Sequence, residues 1–235
     1  RDTFLLLLDY LPDAALLHAQ LGLAHIGLGA YDRARDASGR AVELAPADSG
    51  ALFNLALCQK QTGDLDGAIA SYGRLHARTP EDTDCLYNLA GCYRERGDTN
   101  RAITCYRAVL ALDEHHLAAA ATLAHLHHGR GEVDQAARWY HHLLARRPGD
   151  EAARYLLDAL TGAHHDNAPE SYVRGLFDSC AASFEQTLVT DLGYDNPAEL
   201  HACLQRCPGH HQHYAHGLDL GCGTGLSGLP FAPQV

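Results

Sequence analysis

The chain has 235 residues, is 46% hydrophobic and 20% charged, and carries a formal net charge of −11. That acidic balance excludes nonspecific nucleic-acid binding, which needs a basic surface facing the phosphates. The length and apolar fraction allow one or two domains with a sizeable core, and the run Leu5-Leu6-Leu7-Leu8 is far too short to span a bilayer.

The chain lacks methionine and begins at Arg1 with a pattern that is already helical, so the reading expects the natural N-terminus to lie upstream. A first helix runs to about Tyr10. Helix pairs are predicted over 15–28 and 32–44, 49–61 and 65–78, 83–95 and 99–112, and 117–128 and 133–146, followed by a helix from Asp150 to Leu160. One register governs them. Gly29, Gly63, Gly97 and Gly131 are 34 residues apart, as are Ala34, Ala68, Ala102 and Ala136, and Leu21, Leu55, Leu89 and Leu123. Pro12, Pro46, Pro80 and Pro148 keep the same step, with Glu114 at the missed position. Phe4, Tyr72, Tyr106 and Tyr140 share a further column in which Ser38 is the exception.

Each column has a physical reading. Glycine accepts the left-handed backbone that ends a helix, and the acidic residue after Gly63, Asp64, suits the start of the next. Alanine marks a crossing too close for a larger side chain. Tyrosine fills the gap towards the following unit, and proline closes the second helix. A single helix pair cannot bury its apolar face alone, but a stack of pairs can. Cys58, Cys85, Cys92 and Cys105 fall inside these helices as small apolar residues, and with no CxxC pair the chain reads as reduced and cytoplasmic. Lys60 is the one lysine, a scarcity attributed to coding bias.

The columns Leu55-Ala56, Gly63, Ala68, Tyr72 and Pro80, with their counterparts, resemble the tetratricopeptide-repeat (TPR) family. The resemblance implies an all-α superhelix: a partial repeat over 1–14, repeats over 15–48, 49–82, 83–116 and 117–150, and a capping helix over 151–161. It also implies that first helices line a concave face. Gln20, Asn54, Asn88 and Thr122 form a polar column there, similar to the asparagine ladder with which some TPR grooves hold the backbone of an extended peptide. The other reading of these residues is that they brace neighbouring helices.

Residues 162–168 read as a linker, small and polar, and the repeat register is absent after it. Helices are predicted over 169–178, 180–191 and 196–206. The histidines His125, His127, His128, His141, His142, His164 and His165 read as solvated surface, and Cys203, Cys207, His210, His211 and His213 fit no common zinc spacing, so no metal site is expected.

Residues 217–225 read GLDLGCGTG: an apolar strand at 218–220, a glycine turn and a helix start. Glycines without side chains let a ligand approach the backbone, and helix amides point at it. Asp219, Gly221, Cys222, Gly223 and Gly225 resemble motif I of class I S-adenosylmethionine methyltransferases, and 171–194 resembles the helical lead-in of bacterial TPR methyltransferases, with Cys180 where that family often has an aromatic. The resemblance implies that Asp219 holds the methionine amino group, that the glycines cradle S-adenosylmethionine, and that 169–235 is the incomplete N-terminal part of an α/β methyltransferase domain. No catalytic residue is assigned, and this stretch alone is expected to bind the cofactor weakly or not at all. Two functions follow: a TPR scaffold fused to a methyltransferase, or a non-catalytic TPR adaptor for extended peptides. Neither involves nucleic acid or a membrane.

Overall fold

A computed structural model describes residues 2–163, 165, 167–180 and 196–206, in which twelve helices and no strand are found. The chain divides into two compact units, 1–165 and 166–235. In the first, helices run α1 Asp2–Tyr10, α2 Ala15–Gly27, α3 Tyr31–Leu44, α4 Ser49–Gln61, α5 Leu65–Arg78, α6 Thr83–Glu95, α7 Thr99–Leu112, α8 Leu117–Gly129, α9 Val133–Arg146 and α10 Glu151–Thr161. In the second, α11 spans Glu170–Cys180 and α12 spans Asn196–Arg206. The expected strand at 218–220 and most of the expected helix over 180–191 lie outside the described residues.

The columns explain the stack. Ala34, Ala68, Ala102 and Ala136 are each 0% exposed, which places them at the crossing of the two helices of a pair. Gly29, Gly63, Gly97 and Gly131 have φ between +69° and +87°, the left-handed region that other residues enter at a cost. Helices α4, α6 and α10 start on side-chain caps: Asp48 accepts from the amides of Gly50 and Ala51, Asp82 from Cys85 and Asp150 from Ala153. Asp64 and Asp98 cap the second helices through Gly67 and Arg101. Each pair then packs on the next, α3 on α4, α5 on α6, α7 on α8 and α9 on α10.

Tyr72, Tyr106 and Tyr140 are at most 1% exposed and wedge between units. Phe53 meets the edge of Tyr72 with centroids 5.5 Å apart, and Tyr87 meets Tyr106 at 5.4 Å in the same register. The exception at Ser38 has a partner exception. A Cβ on Gly22 would lie 2.5 Å from Ser38 Oγ, so a smaller residue on each helix brings α2 and α3 closer. Between units, Arg96 donates to Asp66 at 2.8 Å and Arg130 donates to Asn100 at 2.8 Å, the same link made one repeat later.

The helix α10 departs from the register at two points. Asp158 stands where Gly22, Ala56, Ala90 and Ala124 provide the small surface a second helix crosses, and it bonds to His165 at 2.9 Å. Gly162, with φ +85°, ends the helix early.

Candidate functional site

The first helices also touch one another, α2 against α4 and α4 against α6, which puts them on the inner side of the stack. The expected column lies along them. Gln20 is exposed, and Asn54, Asn88 and Thr122 are half-buried. Asn88 Nδ2 donates to the Asp84 carbonyl at 2.9 Å and Thr122 Oγ1 to the Ala118 carbonyl at 2.9 Å, so two of the four side chains are braced against their own helix. The Asn88 side-chain oxygen remains a possible acceptor. Burial pushes the Tyr106 hydroxyl up to about 12, against the Arg94 charge and a hydrogen bond with Thr122, so it stays protonated.

A second column, not noticed in the sequence, lies six residues further along the same helices. Ile26, Lys60, Arg94 and His128 are again 34 residues apart, and three of the four are basic. Lys60 makes a defined contact. It crosses to the next unit, where Gly91 replaces the Leu23, Leu57 and His125 of its column, and a Cβ on Gly91 would sit 3.1 Å from Lys60 Nζ. Lys60 Nζ lies 3.2 Å and Arg94 Nη2 3.7 Å from the same oxygen, Glu95 Oε1. The fixed 34-residue step between Lys60 and Arg94 was the available signal.

In the fourth unit, His125 and His128 take over from the missing aromatic at Ala121. Their Nδ1 atoms lie 3.4 and 3.3 Å from the Tyr140 hydroxyl. Packing around His125, and then the nearby His128, hold its imidazole below the usual range.

The expectation that the histidines are solvated fails at His127, which is 2% exposed. Its Nδ1 lies 2.5 Å from Glu132 Oε2, and Arg130 Nε lies 2.8 Å from Glu132 Oε1. The His127 column also holds His25, Gln59 and Tyr93, an interior position where polar tips can reach a partner. The His127 hydrogen bond is the main cause of a depressed Glu132 pKa.

Cys58, Cys85, Cys92 and Cys105 lie inside the repeat helices as expected. Cys58, Cys85 and Cys92 are 0% exposed free thiols, and burial raises Cys58 to about 11 and Cys85 to about 12, which makes them unreactive. Among the described residues no group of three or more His, Cys, Asp or Glu side chains could hold a metal. No described helix is long and apolar enough to cross a membrane. Asp219, Gly221, Cys222, Gly223 and Gly225, and Cys207, His210, His211 and His213, lie outside the described residues.

These features agree with the comparisons. One tetratricopeptide-repeat model matches residues 19–83, and a second matches 61–108 and 94–160. Residues 19–160 therefore belong to the tetratricopeptide-repeat family, a class built as protein-interaction scaffolds. No curated protein matches the chain. Among solved structures, one of MamA superposes with a TM-score of 0.60 at 19% identity, covering 62% of this chain and 85% of that one. Another of MamA gives 0.59 at 18%, covering 77% and 95%. The MamA 41-end structure from Desulfovibrio magneticus RS-1 gives 0.58 at 18%, covering 61% and 81%. At that identity the likeness is one of fold.

Proposed function

We propose that the chain is a non-catalytic adaptor that holds an extended segment of a partner protein along its first helices. The observation that supports this most is the alignment of Gln20, Asn54, Asn88 and Thr122 on one side of four stacked first helices. Side-chain amides at a regular step suit the backbone of an extended peptide, which every sequence offers. A screen of immobilised random decapeptides, followed by solution affinities for the peptides retained, tests it. The double variant Asn54→Ala/Asn88→Ala should weaken every retained peptide about tenfold, the loss of one or two hydrogen bonds of about 1 kcal/mol each. Unchanged affinities in a variant with a native circular dichroism spectrum would contradict it.

A second reading rests on sequence 217–225. In it, Asp219 and the glycines at 221, 223 and 225 hold S-adenosylmethionine, and the repeats deliver a protein to a methyltransferase domain. Calorimetric titration with S-adenosylmethionine addresses it: weak heats abolished by Asp219→Ala are expected, and heats indifferent to that change would contradict it.

A further inference from the structure

We propose that His125, His128 and Tyr140 form an acid-sensitive latch that holds α8 to α9 at neutral pH and lets the fourth unit loosen on mild acidification. The latch does not depend on what the repeats bind. Two other units make the same contact with a phenyl or phenol ring: Phe53 meets Tyr72 at 5.5 Å and Tyr87 meets Tyr106 at 5.4 Å. In the fourth unit Ala121 stands in the Phe53 and Tyr87 column, and two imidazoles approach Tyr140 instead. Their ring centroids lie 6.0 and 6.1 Å from it, at 84° and 89° to its plane. Imidazole is the side chain whose charge changes near neutral pH.

Both rings present Nδ1 to one oxygen, His125 at 3.4 Å and His128 at 3.3 Å from Tyr140 Oη. A phenol has one proton to donate and accepts through its lone pairs. In the latch, His128 Nδ1–H donates to Oη, and Oη–H donates to His125 Nδ1. The arrangement needs a bare Nδ1 on His125. A proton placed there sets two donors against each other and breaks the chain. Tyr140 is 1% exposed, so bulk water does not make good the lost bond.

The surroundings keep His125 neutral. Burial acts most strongly against its imidazolium, and the charge of His128 acts next; Asp150, at the start of α10, acts the other way and is outweighed. The titratable groups that bear on His125 are thus His128 on α8, Tyr140 on α9 and Asp150 before α10. His127, beside His128 on α8, turns to Glu132 instead. Because the folded value of His125 is held down, the latch contributes in full above the ordinary 6.5 and is lost as pH falls through the lowered folded value. The Glu132 response belongs to a lower, carboxylate window, so the two are separable.

The test is residue-resolved amide hydrogen exchange of the full chain, corrected for intrinsic rates, at about pH 7.5 and about pH 5.5. Protection in α8 and α9 should fall about three- to tenfold at the lower pH, while α6, which holds no histidine, keeps its own. His125→Phe installs the kind of ring that Phe53 provides and should leave α8 and α9 equally protected at both pH values. Tyr140→Phe keeps the ring and removes only the hydroxyl; it should abolish the pH dependence too, and it carries the test where the first variant fails to fold. Ring-nitrogen chemical shifts at the higher pH should show a bare Nδ1 on His125 and a protonated Nδ1 on His128. Unchanged protection of α8 and α9 in the native chain would overturn the latch. So would an equal fall in Tyr140→Phe, or a His125 protonated at Nδ1 at the higher pH.

Discussion

Gly97 and Gly73 are one type of residue under opposite constraints. Gly97 has φ +87°, whereas Gly73 lies within α5 with open space where its Cβ would be. Gly97→Ala should destabilise the protein by about 1–2 kcal/mol, and Gly73→Ala should stabilise it by about 0.5–1 kcal/mol. Urea midpoints of the two variants should move in opposite directions; a shift of the same sign would contradict the assigned conformations. The tyrosine column divides in the same way. Tyr72 Oη is buried with no hydrogen-bond partner, while the Tyr106 hydroxyl has Thr122 within its reach. Tyr72→Phe should be neutral or slightly stabilising, and Tyr106→Phe should cost about 1 kcal/mol. Thermal denaturation of both separates them, and equal losses would contradict the difference. The column itself was legible because tyrosine repeats; which hydroxyl finds a partner was not, because that depends on the side chain one unit further on.

At the scale of elements, α9 begins differently from α5 and α7. Asp64 and Asp98 cap those helices, but Glu132, at the equivalent position, makes no cap and turns to His127 and Arg130. The sequence shows an acid at a helix start and so suggests a cap. The extra methylene of Glu and a histidine one turn back redirect it, a choice made by three-dimensional reach. Because His127 lowers the folded-state pKa of Glu132 below its ordinary 4.5, its stabilising contribution is present above the ordinary value. It is lost as pH falls through the depressed folded value. Urea titrations across that acidic window should show stability falling with pH, and Glu132→Gln should flatten part of the fall. An unchanged slope would show that the pair does not form.

Helix boundaries were the most legible feature. The predicted 83–95 and 99–112 coincide with α6 and α7, and α2 and α3 differ by a residue. A 34-residue step repeated in several columns averages out local ambiguity. Side-chain partnerships were less legible. The histidines looked like surface by composition, yet His127 is interior and His125 and His128 complete an aromatic contact that Phe53 and Tyr87 make elsewhere. The contact of Lys60 with the next unit escaped notice because Lys60 was judged as a rare residue type instead of as a member of a column.

Among the described residues the repeats contact one another from pair to neighbouring pair, so cooperativity is carried along the stack. Native-state hydrogen exchange should therefore be slowest in α4 to α7, which have packed units on both sides, and fastest in α1 and α10. Uniform protection from α1 to α10 would contradict a stack stabilised by nearest neighbours. The most direct test of the scaffold account is residue-resolved amide shift mapping during titration with a retained peptide. The account predicts shifts along α4, α6 and α8, centred on Asn54, Asn88 and Thr122. Shifts confined to the second helices α5, α7 and α9 would contradict it.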